Sequence, residues 1–583
     1  MTSDTSEPMQ AIDAARPWLG SYPRQVPRSI EPIPNVSLYQ LLVDSARRHP
    51  HAPAIAWFGR HLTYAELERE CERFSAVLAS LGVHRGDRVA LILPNCPEYV
   101  IAYYATIRIG AIVVGNNPLY TERELSHQLI DAEPSVVVVL DALYPSSASS
   151  IAAAGIHSTV VTSVGTYMPF VKRMLAPWKL SRDAKREGKP WPPVPAGAAV
   201  LRWRDLMRSP AAAPPPADVD AERDVAALVY TGGTTGVSKG AMLTHRNLVA
   251  NAMQSAAWFV DTESGRESIL SVLPFFHCYG MTVAMNLGVA MAAKLVLLPR
   301  FEVRAVMREI ERERPTLFPG VPKIYSLIND AAGAGGHDLS SIRSCLSGAG
   351  ALPAPVAERF RSLTGATVAE GYGLTEASPV VAGNPLDGSA RPGTIGVPLP
   401  DTECRIVDLE DPRRVLPAGE QGELQVRGPQ VMLGYRNRPD ETAAIFVDGW
   451  LRTGDVAVMD GDGSFRIVDR LKDMIKVSGF NVYPTEVEEV LLRHPKVARA
   501  CVVGVPDGRG SERVKAFIVL RRGEPATAEE IVAWCRDPAT GLTGYRVPTE
   551  IEFRETLPET LIGKVLRRVL LEEERQRAGS SSG

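Results

Sequence analysis

No cysteine in this 583-residue chain has another within three positions of it. The seven present, at 71, 96, 278, 345, 404, 501 and 535, are odd in number and lack CxxC spacing, which argues against structural zinc and a disulfide framework. Charge of one sign is also missing. With 64 Lys and Arg against 67 Asp and Glu, the formal net charge of -3 gives no basis for bulk nucleic-acid binding. The opening "MTSDTSEPMQ" lacks the basic start and apolar middle of a secretory signal. No uninterrupted apolar run reaches the ~20 residues of a spanning helix. "VIAYYATIRIGAIVVG" contains Arg108, and "GMTVAMNLGVAMAAKLVLLP" contains Asn286 and Lys294. No internal repeat is visible. The expectation is a reduced, soluble, cytoplasmic protein of ordinary globular composition, 45% apolar and 22% charged.

The length calls for two or more units. Residues 1–35, rich in Pro, Ser and charge, read as a loosely packed arm. From Leu38, helical patterns such as "LTYAELERECERFSAVLASLG" alternate with short apolar strands such as "DRVALILPN" and "PSVVVVLD". That alternation predicts an α/β fold of helix-flanked, mainly parallel sheets over residues 36–469. Gly- and Pro-punctuated strands around "GEQGELQVRGPQVMLGY" predict a small β-rich subdomain at its end. A small, mobile α+β C-terminal domain is expected over 472–575, with the boundary near Asp469 to Lys472 and a flexible tail over 576–583.

Residues 165–216 break the rhythm. Lys172, Arg173, Lys179, Arg182, Lys185, Arg186 and Lys189 interleave with Phe170, Met174, Leu175 and Trp178, and a Pro/Ala-rich connector follows. Two readings stay open: a solvated insertion with one face on the protein, or peripheral contact with an anionic membrane through 170–189.

The stretch "YTGGTTGVSKGAMLTHRN", Tyr230 to Asn247, holds four glycines, four threonines, one serine and one lysine. Glycines let backbone N–H groups face an anion, and hydroxyls add donors. Thr231, Gly232, Gly233, Thr234, Thr235, Gly236, Ser238 and Lys239 are therefore candidate phosphate ligands. This is not a Walker loop, because Lys239 follows Ser238 and precedes Gly240. The expected setting is strand, loop, helix, with Thr244 as the helix N-cap. "EGYGLTEASP" sets Tyr372 between Gly371 and Gly373, where it can cover a base. Its Thr375–Glu376 pair offers a carboxylate for Mg²⁺. "WLRTGDVAV" places Asp455 after a glycine turn, suited to a ribose diol. "DRLKDMIKVSGFNVYPTEVE" gathers Arg470, Lys472 and Lys476 around Gly479, with Phe480 next. "LPETLIGKVLRR" presents Lys564 after Gly563. Singly, each motif reads equally well as a salt bridge, a helix cap or a solvated lysine. Together they describe a nucleotide with base, sugar, phosphates and metal, plus a distant lysine.

At these motifs the chain resembles the acyl-activating, adenylate-forming superfamily, and more narrowly bacterial long-chain fatty-acid–CoA ligases, over roughly residues 30 to 570. The resemblance implies a fatty acid, ATP and CoA as substrates and Mg²⁺ as cofactor. By the same resemblance Thr235 and Glu376 bracket Mg²⁺, and Gly348, Ala349 and Gly350 of "SGAGAL" enclose the adenine with "GYG". Asp455 and Arg470 hold the ribose, Lys564 is the adenylation lysine, and Lys472 is the hinge between domains. Gly479 lets pantetheine pass, with Phe480 beside it. One departure is Glu559 in "LPET", where the family often has a basic or small residue; an acidic neighbour bears on the electrostatics of Lys564.

The implied acyl pocket lies in "LPFFHCYGMTVAMNLGVAMAAKLVLLP". His277 and Cys278 stand where amino-acid-activating relatives place an aspartate, so an amino acid is not expected. The small residues Gly280, Ala284 and Gly288 are expected to leave room for a long chain, with "GVPKIYSLI" as another wall. The other reading is a core helix with His277 hydrogen-bonded inside. Three alternatives remain for function: an acyl-AMP ligase loading a carrier protein, an aryl-acid–CoA ligase, and a lipid-handling scaffold that binds nucleotide without turnover. No insertion between Asp455 and Gly479 blocks the CoA position, which favours CoA. A homodimer is compatible with all of these.

Overall fold

Val136–Leu140 is an unbroken aliphatic run, and every residue of it is buried. A strand covered on both faces needs this composition, and it is the mark of a parallel sheet sandwiched by helices. The computed structural model describes residues 16–174, 182, 199–208, 211–231, 238–333, 335–478, 480–507, 511–537, 542, 544–559 and 565–580. In it, Val136–Leu140 lies inside an eight-stranded sheet. Six neighbouring strands of that sheet run parallel, in the order Val225–Tyr230, Ile112–Gly115, Arg88–Ile92, Val136–Leu140, Thr159–Thr162 and Val200–Arg202. Gly240–Thr244 and Gly434–Tyr435 extend one edge antiparallel.

A second sheet pairs Ser268–Ser271, Lys294–Leu297 and Pro53–Trp57 in parallel and adds Arg60–Thr63 antiparallel. A third orders Ser344–Ser347, Thr367–Gly373, Val380–Gly383 and Val397–Pro398. An antiparallel sheet follows, built from Glu403–Val407, Gln421–Arg427, Trp450–Met459, Phe446–Val447 and Phe465–Arg470. The expected α/β class with a β-rich subdomain is borne out. One apolar cluster runs through these sheets from Trp18 to Phe465, and a separate cluster begins at Ile475. The second belongs to a small unit with a three-stranded sheet of Val497–Pro506, Glu512–Leu520 and Glu550–Phe553.

Two sequence expectations change, and a third holds. The arm from residue 16 onward does not pack loosely. Trp18 is buried, the Tyr22 hydroxyl donates to the Pro398 carbonyl at 2.7 Å, and the Ile30 N–H donates to Asp401 at 2.6 Å. As expected, the stretch around Arg108 does not span: it is a fully buried helix, Pro97–Arg108, and the Arg108 guanidinium donates to Ser75 at 3.2 Å and to the Pro214 carbonyl. No helix among the described residues is long and apolar enough to cross a membrane. The Gly/Thr stretch is not strand, loop, helix: Gly240–Thr244 folds back on Val225–Tyr230 as a hairpin before the helix begins.

That helix, His245–Trp258, starts as expected at Thr244. The Thr244 side chain accepts the Asn247 N–H at 3.2 Å, and the Asn247 side chain accepts the Thr244 N–H at 2.9 Å. Because the helix is buried, its amides bond elsewhere. Asn247 donates to the carbonyls of Pro429 and Val431, each at 2.8 Å, Asn251 to that of Val380 at 2.8 Å, and Gln254 to that of Pro400 at 2.7 Å.

His245 opens the helix with its imidazole 1% exposed and its Nδ1 accepting the Leu38 N–H at 3.1 Å. Burial lowers its pKa from 6.5 to about 4. The neutral ring thus contributes stability that is complete above pH 6.5 and lost as pH falls from 6.5 through 4. The full term is about 3 kcal/mol. Urea midpoints measured across this window should fall more steeply in the natural chain than in His245→Gln.

Candidate nucleotide site

The described part of the Gly/Thr loop is its base. The Thr231 N–H donates to the Lys239 carbonyl at 2.9 Å, and the Ser238 hydroxyl donates to the Thr231 carbonyl at 2.6 Å. Gly232, Gly233, Thr234, Thr235 and Gly236 lie outside the described residues. The Lys239 ammonium pairs with Glu441 and stands 5.1 Å from the centre of the Tyr435 ring. Tyr435 in turn donates its hydroxyl to Glu376 Oε1 at 2.5 Å. Sequence reasoning passed over Tyr435. It sits in a two-residue strand, Gly434–Tyr435, held beside the loop's own strand by the Asn247 bonds to the segment before it. No local pattern marks such a residue.

Glu376 follows Thr375 in a single 3₁₀ turn, Thr375–Ala377, and its carbonyl accepts the Met432 N–H at 2.8 Å. Upstream, the strand Thr367–Gly373 carries Gly371, Tyr372 and Gly373. A Cβ on Gly373 would fall on the Pro379 carbonyl oxygen, so this glycine is required by the close return of the chain. Tyr372 donates its hydroxyl to Asp455, and Arg470 Nε donates to Asp455 Oδ1 at 2.7 Å. Asp455 is 2% exposed. Burial and the Asp455 charge push the Tyr372 hydroxyl well above its ordinary pKa, so it remains a donor. Burial works against the charge of Arg470 and of Lys472, and each feels the carboxylates of Asp455, Glu376 and Asp473. The structure thus brings Tyr372, Glu376, Asp455, Arg470 and Lys472 into one electrostatic neighbourhood.

The turn Gly348–Ala349–Gly350 leaves the strand Ser344–Ser347, with Ala349 at φ 65° and both Ala349 and Gly350 exposed. Gly348 is buried, and its N–H donates to the Gly320 carbonyl at 3.1 Å. Beyond the turn, the Leu352 N–H donates to Glu370 Oε2 at 3.0 Å. Burial raises the Glu370 carboxyl to about 7, against the lowering effect of that N–H. Glu370 begins the "EGYG" motif and was given no role from sequence.

Lys476 and Phe480 lie apart, on the hairpin of Ile475–Val477 and Phe480–Val482. The Lys476 N–H donates to Glu512 at 2.7 Å, and Phe480, 56% exposed, stacks on Tyr545 at 4.8 Å. Gly479 and Lys564 lie outside the described residues.

The implied acyl segment departs from expectation. Gly280 and Gly288 do not leave space: a Cβ on Gly280 would fall on the Pro274 carbonyl, and one on Gly288 on the Leu295 side chain. These glycines serve close packing of the helical stretch Gly280–Ala290, buried through Val289. His277 Nδ1 accepts the Tyr279 N–H at 3.2 Å, and Cys278 Sγ lies 3.4 Å from the Thr375 hydroxyl. Burial pushes the Cys278 thiol up to about 12, so no thiolate nucleophile forms there. All seven cysteines are buried, and none forms a disulfide.

Chemically, one hard carboxylate at Glu376 fits a Mg²⁺ ion that takes its other oxygens from phosphates and water, as this cation prefers. No group of three or more His, Cys, Asp or Glu residues gathers for a metal among the described residues.

Known proteins are similar to this chain in sequence and in fold. The sequence profile of AMP-binding enzymes matches residues 42–436, and that of the AMP-binding enzyme C-terminal domain matches 486–564. The long-chain-fatty-acid–CoA ligase of Bacillus subtilis is 43% identical over 565 residues, covering 97% of this chain and 99% of the relative. Among solved structures, an ATP-bound RpMatB–BxBclM chimera superposes with TM-score 0.79 at 30% identity, covering 93% of this chain and 99% of that one. The anthranilate CoA ligase AuaEII, in complex with anthranoyl-AMP, gives TM-score 0.79 at 26% identity over 94% of this chain and 99% of that one.

Asp455 is the buried charge on which Arg470 and Tyr372 converge. Replacing it with Ala leaves a half-buried cation and a half-buried hydroxyl without their shared acceptor, which costs about 1–3 kcal/mol. Asp455→Ala should lower the thermal midpoint clearly more than Tyr372→Phe, which leaves the ion pair intact.

Proposed function

The chain belongs to the family of AMP-binding enzymes, and from that premise we propose that it activates a medium- to long-chain fatty acid with ATP and transfers the acyl group to CoA. It is an AMP-forming acid–CoA ligase. The observation that supports its site most strongly is the convergence of Tyr372 and Glu376 with Asp455 and Arg470, two pairs about 80 residues or more apart in sequence.

A carboxylate does not acylate a thiol directly, because oxide would have to leave. A carboxylate oxygen instead attacks the α-phosphorus of ATP, forming an O–P bond while the bond to the β-phosphate breaks and pyrophosphate departs. The CoA thiolate then adds to the acyl carbon, and AMP leaves with the bonding pair. In the first step two negative groups approach each other, so catalysis is positioning and charge neutralisation. Mg²⁺, held by Glu376 and Thr235, would supply part of that neutralisation at the phosphate oxygens. Tyr435 keeps the Glu376 carboxylate oriented. Thr231, Ser238, Lys239 and the glycines between face the phosphates, and Gly348–Gly350 with Tyr372 enclose the adenine. Asp455 accepts from the ribose diol beside its ion-pair partner Arg470. Lys564 bridges carboxylate and α-phosphate, and the small domain, residues 472–575, turns about Lys472 to bring Gly479 and Phe480 to the thioester step.

Peripheral membrane contact is supported by Phe170, Val171 and Met174, each 66% exposed within the helical residues 170–174 beside Lys172 and Arg173. Thr166 and Tyr167, just before them, line a groove that also contains Arg60, Arg69, Arg73, Arg204 and Arg208 with Glu66 and Glu70. Apolar insertion flanked by cations suits an anionic surface.

Labelled pyrophosphate should exchange into ATP when a fatty acid is supplied, with kcat/KM rising about fourfold per added methylene until the pocket is filled. Aryl acids should exchange poorly, and no exchange with any carboxylic acid would overturn the function. Lys564→Ala should abolish acyl-AMP formation and spare thioester formation from supplied acyl-AMP, with Gly479→Leu doing the reverse. Equal loss of both half-reactions in both variants would defeat the two-position account. Co-sedimentation with phosphatidylglycerol vesicles should weaken in Phe170→Ser/Met174→Ser; an unchanged bound fraction would remove the membrane contact.

A further inference from the structure

Glu559, which sequence reading treats as a disturbance near Lys564, has a different employment. Glu559 and Val565 pair as an isolated antiparallel bridge, and the Leu566 N–H donates to the Pro558 carbonyl at 2.8 Å. These contacts close the base of the segment whose sequence contains Lys564. The Glu559 side chain is 13% exposed and accepts from two cations. One is Arg499, on the small unit's own strand Val497–Pro506. The other is Lys323, whose Nζ donates to Glu559 Oε2 at 2.7 Å and which belongs to the large unit.

Lys323 stands in the first turn of the helix Pro322–Gly333, three residues beyond Gly320. Gly320 is the residue whose carbonyl accepts the Gly348 N–H. The Lys323–Glu559 bond therefore ties the base of the 559–565 segment to the strand ends that carry the Gly348–Gly350 turn. We propose that Glu559 is a positioning residue for the adenylation half-reaction, docking its segment on the large domain through Lys323. This rests on the reading that Lys564 serves that half-reaction. Arg499 travels with Glu559 and keeps its carboxylate oriented, so the bond to Lys323 is the part that forms and breaks as the small domain turns. Lys323 is 53% exposed, and a pair of that exposure is weak enough to release in every cycle.

The test measures both half-reactions in the full-length enzyme, Glu559→Gln, Lys323→Ala and the double variant. Pyrophosphate exchange with a fatty acid should fall about two- to fivefold in each single variant. The double variant should fall no further, because the two side chains act as one pair. Thioester formation from supplied acyl-AMP and CoA should stay at the natural rate in all three. Raising ionic strength should bring the natural enzyme's exchange toward that of the variants. Lys323 is exposed enough that Lys323→Ala leaves the fold intact. Unchanged exchange in both single variants, additive losses, or an equal fall in both half-reactions would each overturn the proposal. A natural enzyme that exchanges no pyrophosphate at all would instead overturn the reading beneath it.

Discussion

The Asp455 carboxylate is the contact on which the candidate site depends. It lies on Trp450–Met459, directly across from Arg470 on the neighbouring strand, and Tyr372 reaches it from a different sheet. A carboxylate 2% exposed is tolerated only with charged and hydrogen-bonded partners, so this contact fixes three segments relative to one another. The Tyr372 ring, the Arg470 guanidinium and the start of the linker to the small unit are thereby set before any nucleotide arrives. Such preorganisation is what a reaction between two anions requires, since groups already aimed at the developing charge need not reorganise during the step.

The second constraint is the buried helix His245–Trp258. It follows the Gly/Thr hairpin directly, and its Asn247, Asn251 and Gln254 amides each satisfy backbone carbonyls of the later β-rich segments. The loop and the Tyr435–Glu376 pair are therefore positioned by one element. The buried members of the large apolar cluster end at Phe465 and a separate cluster begins at Ile475, and polar contacts link the two. The Thr485 N–H bonds Asp469 at 2.7 Å, and Lys323 pairs with Glu559. Contacts of this kind dissociate at low cost, unlike apolar packing, which suits a domain that must present two faces in turn.

Much of the fold was legible in advance because its cause is local. Runs such as Val136–Leu140 have the composition of strands buried on both faces, and Thr244 with Asn247 has the chemistry of a helix start. The nucleotide motifs were legible because glycine turns beside single polar residues are informative at short range. The hairpin at Gly240–Thr244 was not, because five residues with glycine at one end and threonine at the other read equally as a loop running into a helix. Gly280 and Gly288 misled for a related reason. Glycine in a sequence signals missing volume, but only neighbours distant in the chain decide whether that volume is empty, and here Pro274 and Leu295 occupy it.

By itself, the sequence determined the class of fold, the order of the units and the residue types able to meet a nucleotide, because these follow from hydrophobic period, turn chemistry and side-chain charge. The tertiary structure alone decided the pairings: Tyr435 with Glu376, Asp455 with Tyr372, and Lys323 with Glu559. These partners are 59, 83 and 236 residues apart. Whether charges so separated meet depends on how whole sheets and helices stack, a property of the collective core that no short stretch of residues encodes.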